Sequence, residues 1–154
     1  MLDERSCTGP PVILTTGEPG EPGEPGELRL PLSGWLLRLA RGSEGRPALE
    51  VHGPAGLIDV SVPSTLSVSP VRGGRHSGRS PRRWSLAWGQ LPPGADVVEV
   101  SFRGWRRGLS VQACTVADAF WVAEVGARFR SVTCTAGSIR RTVRVLREPP
   151  VRVG

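Results

Sequence analysis

Residues 84–113 read WSLAWGQLPPGADVVEVSFRGWRRGLSVQA, and this segment carries the clearest pattern in the chain. Apolar and polar residues alternate in three short runs, which begin at Trp84, Val98 and Leu109. Two turn-forming segments, GQLPPGAD and GWRRG, separate the runs. Because the side chains of a strand point alternately to its two faces, such runs are typical of strands with one buried face. The segment therefore predicts three antiparallel strands joined by tight turns.

The same pattern continues to residue 147. FWVAEV at 120–125 is apolar at almost every position, as expected of a central strand that is covered on both faces. Further strands are predicted at 129–135 and 139–145, where Arg141 falls on the apolar side, either at a sheet edge or at a shift of register. Strands at a spacing of about ten residues, separated by Gly and Pro, predict an antiparallel β-sandwich for residues 84–147.

Residues 28–70 carry a first group of strands. WLLRLA at 35–40 suits either a buried strand or a short helical segment, and HGPAG at 52–56 predicts a hairpin between two alternating runs. In the second strand of that hairpin we expect apolar residues to face the core and polar residues to face the solvent, which places Ile58, Val60 and Val62 inward and Asp59 and Ser61 outward. The chain as a whole is predicted to be all-β, an antiparallel β-sandwich of about 7–10 short strands with a disordered N-terminal tail.

Both ends of the chain are predicted to lie outside the sandwich. Residues 1–27 include the repeat GEPGEPGEPGE, whose composition is typical of an extended acidic linker. This tail holds six acidic residues and one arginine, which gives it a net charge of −5. Because the net charge of the whole chain is +6, residues 28–154 carry a net charge of +11. Residues 148–154 form a short C-terminal tail.

Arginine is the only basic residue apart from two histidines, because the chain has no lysine. Part of this arginine content reflects GC-rich coding, as in a high-GC bacterium, since lysine, asparagine and tyrosine are all absent. Residues 71–83, VRGGRHSGRSPRR, are predicted to be an Arg-rich loop between the two strand groups. The candidate partner-binding residues in this loop are Arg72, Arg75, Arg79, Arg82 and Arg83.

Trp105 is the second candidate for partner binding. It lies in the predicted turn FRGWRRG and is flanked by Arg103, Arg106 and Arg107. A tryptophan in a turn beside guanidinium groups is either an exposed anchor for a partner or a ring that folds over the sheet edge onto an arginine. The sequence leaves both alternatives open.

The missing residue types limit the chemistry that the chain can perform. Without lysine there is no phosphate-binding P-loop lysine and no Schiff base, and close cysteine pairs of the zinc-binding kind are absent. We predict no cofactor, no metal site and no catalytic residue. A small hydrolase that uses His52 with Asp59, and Ser110 or Cys114 as nucleophile, is a disfavoured alternative.

Three cysteines are present, at positions 7, 114 and 134. Alternation along the predicted strands places Cys134 inward and Cys114 outward. Whether these two form a disulfide is left open, because cysteines on opposite faces are poorly placed to pair. No apolar run approaches the ~20 residues that a membrane-spanning helix needs, and the acidic N-terminus lacks the apolar segment of a signal peptide. We therefore expect a cytoplasmic protein that does not bind a membrane.

Three segments of the main group carry a family resemblance: WGQLPPGADVVEVSF at 88–102, DAFWVAEV at 118–125 and SVTCTAG at 131–137. They resemble small immunoglobulin-like or transthyretin-like β modules in proteins of high-GC bacteria. The resemblance covers residues 84–147. It implies a sandwich fold and no particular activity, because sandwiches carry many unrelated functions.

The sequence favours a non-enzymatic β module that acts in protein–protein interaction or assembly, with another protein as its partner. The alternative is an accessory protein that contacts nucleic acid through the Arg-rich loop. Flexible arginine-rich segments bind phosphate backbones without sequence preference, although no aromatic residue lies between the arginines of this loop. The oligomeric state cannot be deduced from these patterns.

Overall fold

The computed structural model describes residues 26–41, 45–64, 66, 68–78 and 81–151. Most of the predicted acidic tail, Cys7, Arg79 and the last three residues lie outside these ranges. The described part contains thirteen strands and no α-helix, which confirms the all-β prediction with more strands than expected. It accordingly contains no helix long and apolar enough to cross a membrane.

The strands form three sheets, which we name front, middle and back. The front sheet has the order β1 (Glu27–Arg29), β2 (Leu36–Arg41), β3 (Pro47–Gly53) and β4 (Gly56–Ser61). The middle sheet has the order β13 (Leu146–Arg147), β5 (Gly73–His76), β6 (Ser85–Gln90), β10 (Phe120–Val125) and β9 (Cys114–Val116). The back sheet has the order β12 (Ile139–Arg144), β11 (Ser131–Ala136), β7 (Glu99–Arg103) and β8 (Gly108–Gln112). Neighbouring strands are antiparallel, except that β13 runs parallel to β5.

The middle sheet is covered on both faces. Every residue of β6 and β10 is buried, as predicted for the apolar run at 120–125. One face, with Trp88 and Val122, shares a core with residues of the front sheet, namely Leu37, Leu39, Leu49 and Val51. The other face, with Ala87 and Ala123, shares a core with residues of the back sheet, namely Val100, Phe102, Val132 and Cys134. The molecule is therefore a sandwich of three layers, and its central strands lack the apolar–polar alternation of the outer ones.

The prediction for the faces of β4 is wrong. Ser61 is buried, whereas Val60 and Val62 are 45% and 43% exposed. The pairing of β3 with β4 contains a bulge: Val51 pairs with Asp59 but His52 pairs with Leu57, so one residue of β4 has no partner. A bulge changes which residues face the core, and the alternation pattern gives no sign of it.

The structure also differs from the prediction at residues 71–83, where Gly73–His76 form strand β5 instead of loop. The reason is packing against β6. A Cβ atom on Gly73 would lie 2.8 Å from the Trp88 ring, so the bare glycine backbone lets the indole lie directly against this strand. Two consecutive glycines disfavour a strand locally, and the tertiary contact overrides that preference.

Cys114 is buried, and the prediction that it faces outward is wrong. The chain passes from the back sheet to the middle sheet at Ala113, between β8 and β9, so the alternation restarts there. Cys114 packs in the core between the front and middle sheets, and Cys134, buried as predicted, packs in the other core. Cys114 and Cys134 do not form a disulfide with each other.

Candidate functional site

One end of the middle and back sheets collects arginines from four separate parts of the chain. The strand pairings show this: Ser85 pairs with both His76 and Val125, and Ser131 pairs with both Arg103 and Arg144. Four connections therefore meet at this end, namely β5–β6, β7–β8, β10–β11 and β12–β13. The nine described arginines in these connections and at the strand ends beside them, which we name the arginine end, are Arg82, Arg83, Arg103, Arg106, Arg107, Arg128, Arg130, Arg144 and Arg147.

The arginine end is strongly positive. Glu148 is the one acidic residue in the described parts of these connections, whereas Asp96, Glu99 and Asp118 lie at the opposite end of the same sheets. GC-rich coding raises the number of arginines in a chain, but it does not collect them at one end of the fold. The clustering therefore needs a physical reason, and attraction of an anionic partner is one.

Trp105 lies at the tip of the β7–β8 turn, which a hydrogen bond from Gly104 N to Arg107 O closes at 2.8 Å. The side chain is 79% exposed, and the Arg130 guanidinium carbon lies 4.4 Å from the centre of its ring. Both alternatives drawn from the sequence thus hold together: the ring stacks on an arginine and stays exposed. A cation–π contact of this kind fixes the ring orientation at the cost of little accessible surface.

The β10–β11 connection joins the two arginine-bearing hairpins. The buried Ser85 hydroxyl donates to Ala127 O at 2.7 Å and accepts from Phe129 N at 2.9 Å. Arg128, which lies between Ala127 and Phe129, donates a hydrogen bond to Ser77 in the β5–β6 connection. Arg130, which follows Phe129, stacks on the Trp105 ring. Sequence reasoning missed both arginines, although they directly follow the predicted central strand and so had to lie at one end of the sheet.

Two candidates from the Arg-rich loop, Arg72 and Arg75, lie apart from the arginine end. Arg72 forms an ion pair with Asp59 at 2.7 Å and also donates to Val60 O. Asp59 in turn accepts from Trp88 Nε1 at 2.9 Å. Arg75 lies over the Trp88 ring, and burial lowers its pKa. Arg72 thus joins the front sheet to the middle sheet, and Arg75 packs against the middle sheet. Arg82 and Arg83, by contrast, are exposed at the arginine end.

The Asp59 cluster predicts an acid-dependent loss of stability. Burial acts to raise the pKa of Asp59, but hydrogen bonds from Arg72 and Trp88 outweigh it and hold the pKa below 3.8. Because the folded-state pKa is the lower one, the stabilisation is complete above the unfolded-state value and is lost as pH falls through the folded-state value. We expect Asp59→Asn to reduce the free energy of unfolding by about 1 kcal/mol at pH 7 and to lessen its fall below pH ~4.

Urea denaturation at a series of pH values measures this effect. Asp96→Asn is the matched control, because Asp96 is an exposed carboxylate at a turn. Equal acid sensitivity in the wild type and in Asp59→Asn would contradict the assigned role of Asp59.

Among the described residues no hydrogen bond joins His52 to Asp59 of the hydrolase alternative, and Asp59 is held by Arg72 and Trp88 instead. His52 Nε2 lies 2.8 Å from Glu50 Oε1, and Ser110 lies on the back sheet, two layers away from His52. Burial raises the pKa of the Cys134 thiol to about 11, so this thiol is a poor nucleophile at neutral pH. Across the described ranges, no group of three or more His, Cys, Asp or Glu side chains is placed to hold a metal ion.

Comparisons of the chain with protein-family models, with curated proteins and with solved structures return no match. The resemblance of residues 84–147 to immunoglobulin-like modules therefore stays a prediction.

Proposed function

We propose that the chain is a non-enzymatic binding module that docks an acidic segment of another protein at its arginine end. The observation that carries the proposal is the exposed Trp105 ring stacked on Arg130, at an end of the fold with nine described arginines and one acidic residue. Trp and Arg are the residue types that most often dominate binding energy at protein interfaces. An acidic partner complements this end, and Trp105 supplies the apolar anchor.

Two features favour a protein partner over a nucleic acid. Arg72 and Arg75 are held in internal contacts, so the Arg-rich loop does not present its arginines as one continuous basic strip. The arginine end also offers a single exposed tryptophan, whereas proteins that bind single strands stack successive bases on several aromatic rings. The geometry of the arginine end therefore suits a protein segment anchored at Trp105 better than an extended nucleic-acid strand.

Binding to a labelled acidic peptide tests the proposal. The probe is a 20-residue peptide of glutamates with two central leucines, measured by fluorescence anisotropy with the full chain. We expect Trp105→Ala to weaken binding about thirtyfold, the effect of losing a ~2 kcal/mol anchor. The control is Arg140→Ser/Arg141→Ser, which removes two exposed charges from β12 nearer its other end and should change the affinity less than threefold.

Nucleic acid is the second candidate, because nine arginines and an exposed indole also suit a base that stacks on Trp105 beside bound phosphates. A single-stranded oligonucleotide in the same assay separates the two. If the oligonucleotide binds in a Trp105-dependent and salt-dependent manner and the peptide does not, the nucleic-acid function replaces the protein one. Equal affinities for wild type and Trp105→Ala with both probes would contradict both proposals.

A further inference from the structure

Two neighbouring clefts open on either side of Gly78, at the edge of the arginine end. The first has a volume of about 470 Å³ and is lined by His76, Ser77, Gly78, Arg128 and Arg147. The second has a volume of about 530 Å³, and its apolar wall is formed by Pro54, Pro149, Pro150 and Val151. Gly78 and Arg147 line both clefts, which are therefore adjacent. Each volume lies within the range of small-molecule sites.

Arg128 is fixed in the first cleft by two contacts. Its Nε donates to Ser77 Oγ at 3.0 Å, and its Nη2 donates to Gly78 O at 2.5 Å. Ser77 is itself fully buried, and its Oγ also accepts from Trp84 N at 3.2 Å. The guanidinium group is therefore held in place before any ligand arrives, which lowers the entropic cost of binding an anion.

Arg147 supplies the second positive charge. Its Nε lies 3.0 Å from the point where a Cβ atom on residue 78 would stand, so the side chain lies against the bare glycine backbone. It makes no hydrogen bond or ion pair with any residue that the structure describes. Two guanidinium groups thus line one cleft, and within the described residues the donors of Arg147 are not engaged.

Glu148 shows that an oxyanion fits at this point. Its Oε1 accepts from Gly78 N at 3.3 Å, a long hydrogen bond that a stronger acceptor could replace. His76 contributes its ring to the same cleft, with Nδ1 2.9 Å from Ser77 O. Apart from His76, two arginines and one glutamate give the paired clefts a net charge of +1.

We propose that the paired clefts bind a small organic phosphate. The phosphate group would lie between Arg128 and Arg147, because guanidinium groups bind phosphate oxygens with paired hydrogen bonds. The apolar body would lie against Pro54 and the Pro149–Pro150 wall in the second cleft. Two arginines and a backbone N–H favour a phosphate over a carboxylate, because a phosphate group has more acceptor oxygens to pair with these donors. This site shares Arg128 and Arg147 with the arginine end, but Trp105 does not line it.

Calorimetric titration of the full chain tests the site with three probes: phenyl phosphate, inorganic phosphate and benzoate. We expect phenyl phosphate to bind with one-to-one stoichiometry and at least tenfold more tightly than either other probe, because it alone fills both clefts. Arg147→Gln should weaken its binding at least tenfold. Arg144→Gln is the matched control at the same end of the fold but outside the clefts, and it should leave the affinity within twofold of wild type.

Three further variants make the result specific. Gly78→Ala places a Cβ against Arg147 and should weaken phenyl phosphate, whereas Glu148→Gln removes a competing carboxylate and should tighten it severalfold. Trp105→Ala should leave phenyl phosphate binding unchanged. The phosphate site and the proposed docking of an acidic segment can therefore fail their tests separately. Equal losses in Arg147→Gln and Arg144→Gln would overturn the site, since they would indicate general charge attraction. Equal affinity for phenyl phosphate and inorganic phosphate would also overturn it.

Discussion

Gly89→Ala is expected to abolish the stable fold. A Cβ atom on Gly89 would lie 1.9 Å from Pro70 O and 2.7 Å from both Pro70 C and Trp121 Nε1. Both obstacles are fixed, because Trp121, the cross-strand partner of Gly89, donates its indole N–H to Pro70 O at 2.6 Å inside the core. An alanine must therefore break this buried bond or move the strand, at a cost of about 4 kcal/mol or more. That cost is comparable with the total stability of a small domain.

Far-UV circular dichroism and urea denaturation measure the loss in Gly89→Ala. Gly108→Ala is the matched control, because Gly108 also lies in a strand but the nearest atom to its added Cβ is Phe102 O at 3.7 Å. The control should be as stable as the wild type or slightly more stable, since alanine restricts the unfolded chain. If the two variants are equally stable, the close approach of Pro70 to β6 is wrong.

Glu124→Gln is expected to lower the free energy of unfolding by about 3 kcal/mol. Glu124 lies on β10 and is only 2% exposed. Its Oε1 accepts from Leu32 N at 2.7 Å, and its Oε2 accepts from Ser33 N at 2.9 Å and from the Ser33 hydroxyl. These bonds join the β1–β2 turn of the front sheet to the middle sheet. A glutamine has one acceptor oxygen, so its amide NH₂ would face a backbone N–H and leave that buried donor unsatisfied.

Ser33→Ala is the graded control for Glu124. It removes one of the three hydrogen bonds to Glu124 and also the bond that Ser33 Oγ accepts from Trp35 N at 3.2 Å. Both backbone donors to Glu124 stay paired, so we expect a loss of about 2 kcal/mol, smaller than that of Glu124→Gln. Urea denaturation of the two variants gives the comparison. A Glu124→Gln variant as stable as the wild type would contradict the assigned role of this carboxylate in holding the front sheet.

The alternating runs predicted the back sheet well, because one of its faces is solvated and the other is buried. Val98, Val100 and Phe102 are fully buried as predicted, and Arg141 is exposed on β12, an edge strand, which settles the alternatives for that position. The hairpin at HGPAG is also confirmed, as β3 and β4. A strand with one buried face and one solvated face alternates apolar and polar residues, and the strands of the back sheet show this alternation.

The sequence was less informative where a contact between distant segments decides the local structure. Strand β5 depends on Trp88 packing against Gly73, and the faces of β4 depend on a bulge. The first effect is a contact between residues 15 positions apart in the chain, and the second is one extra residue in a strand pairing. Neither effect changes the local composition, so neither is visible in the sequence. The third layer was missed for the same reason, since periodicity shows that a face is buried but not which sheet covers it.

The candidate site was half predicted. The Trp105 turn was identified from its composition, but Arg128, Arg130, Arg144 and Arg147 were not, because they lie in two short segments, 128–130 and 144–147, that have no other basic residues. The strand order of the middle and back sheets brings them together. A sequence signal existed in their positions, since all four lie at or near the ends of predicted strands, but deciding which strand ends coincide requires the topology.

Tryptophan indole resonances give the most direct test of the docking surface. The chain has five tryptophans, and Trp105 alone among them is exposed. In ¹⁵N-labelled protein titrated with the acidic peptide, we predict that the Trp105 Nε1–H signal shifts together with amides of 104–107 and 128–130. The indole signals of Trp88 and Trp121 should stay in place. Shifts confined to the opposite end, around Asp96 and Asp118, or an unmoved Trp105 signal at saturation, would contradict the assignment of the arginine end as the binding surface.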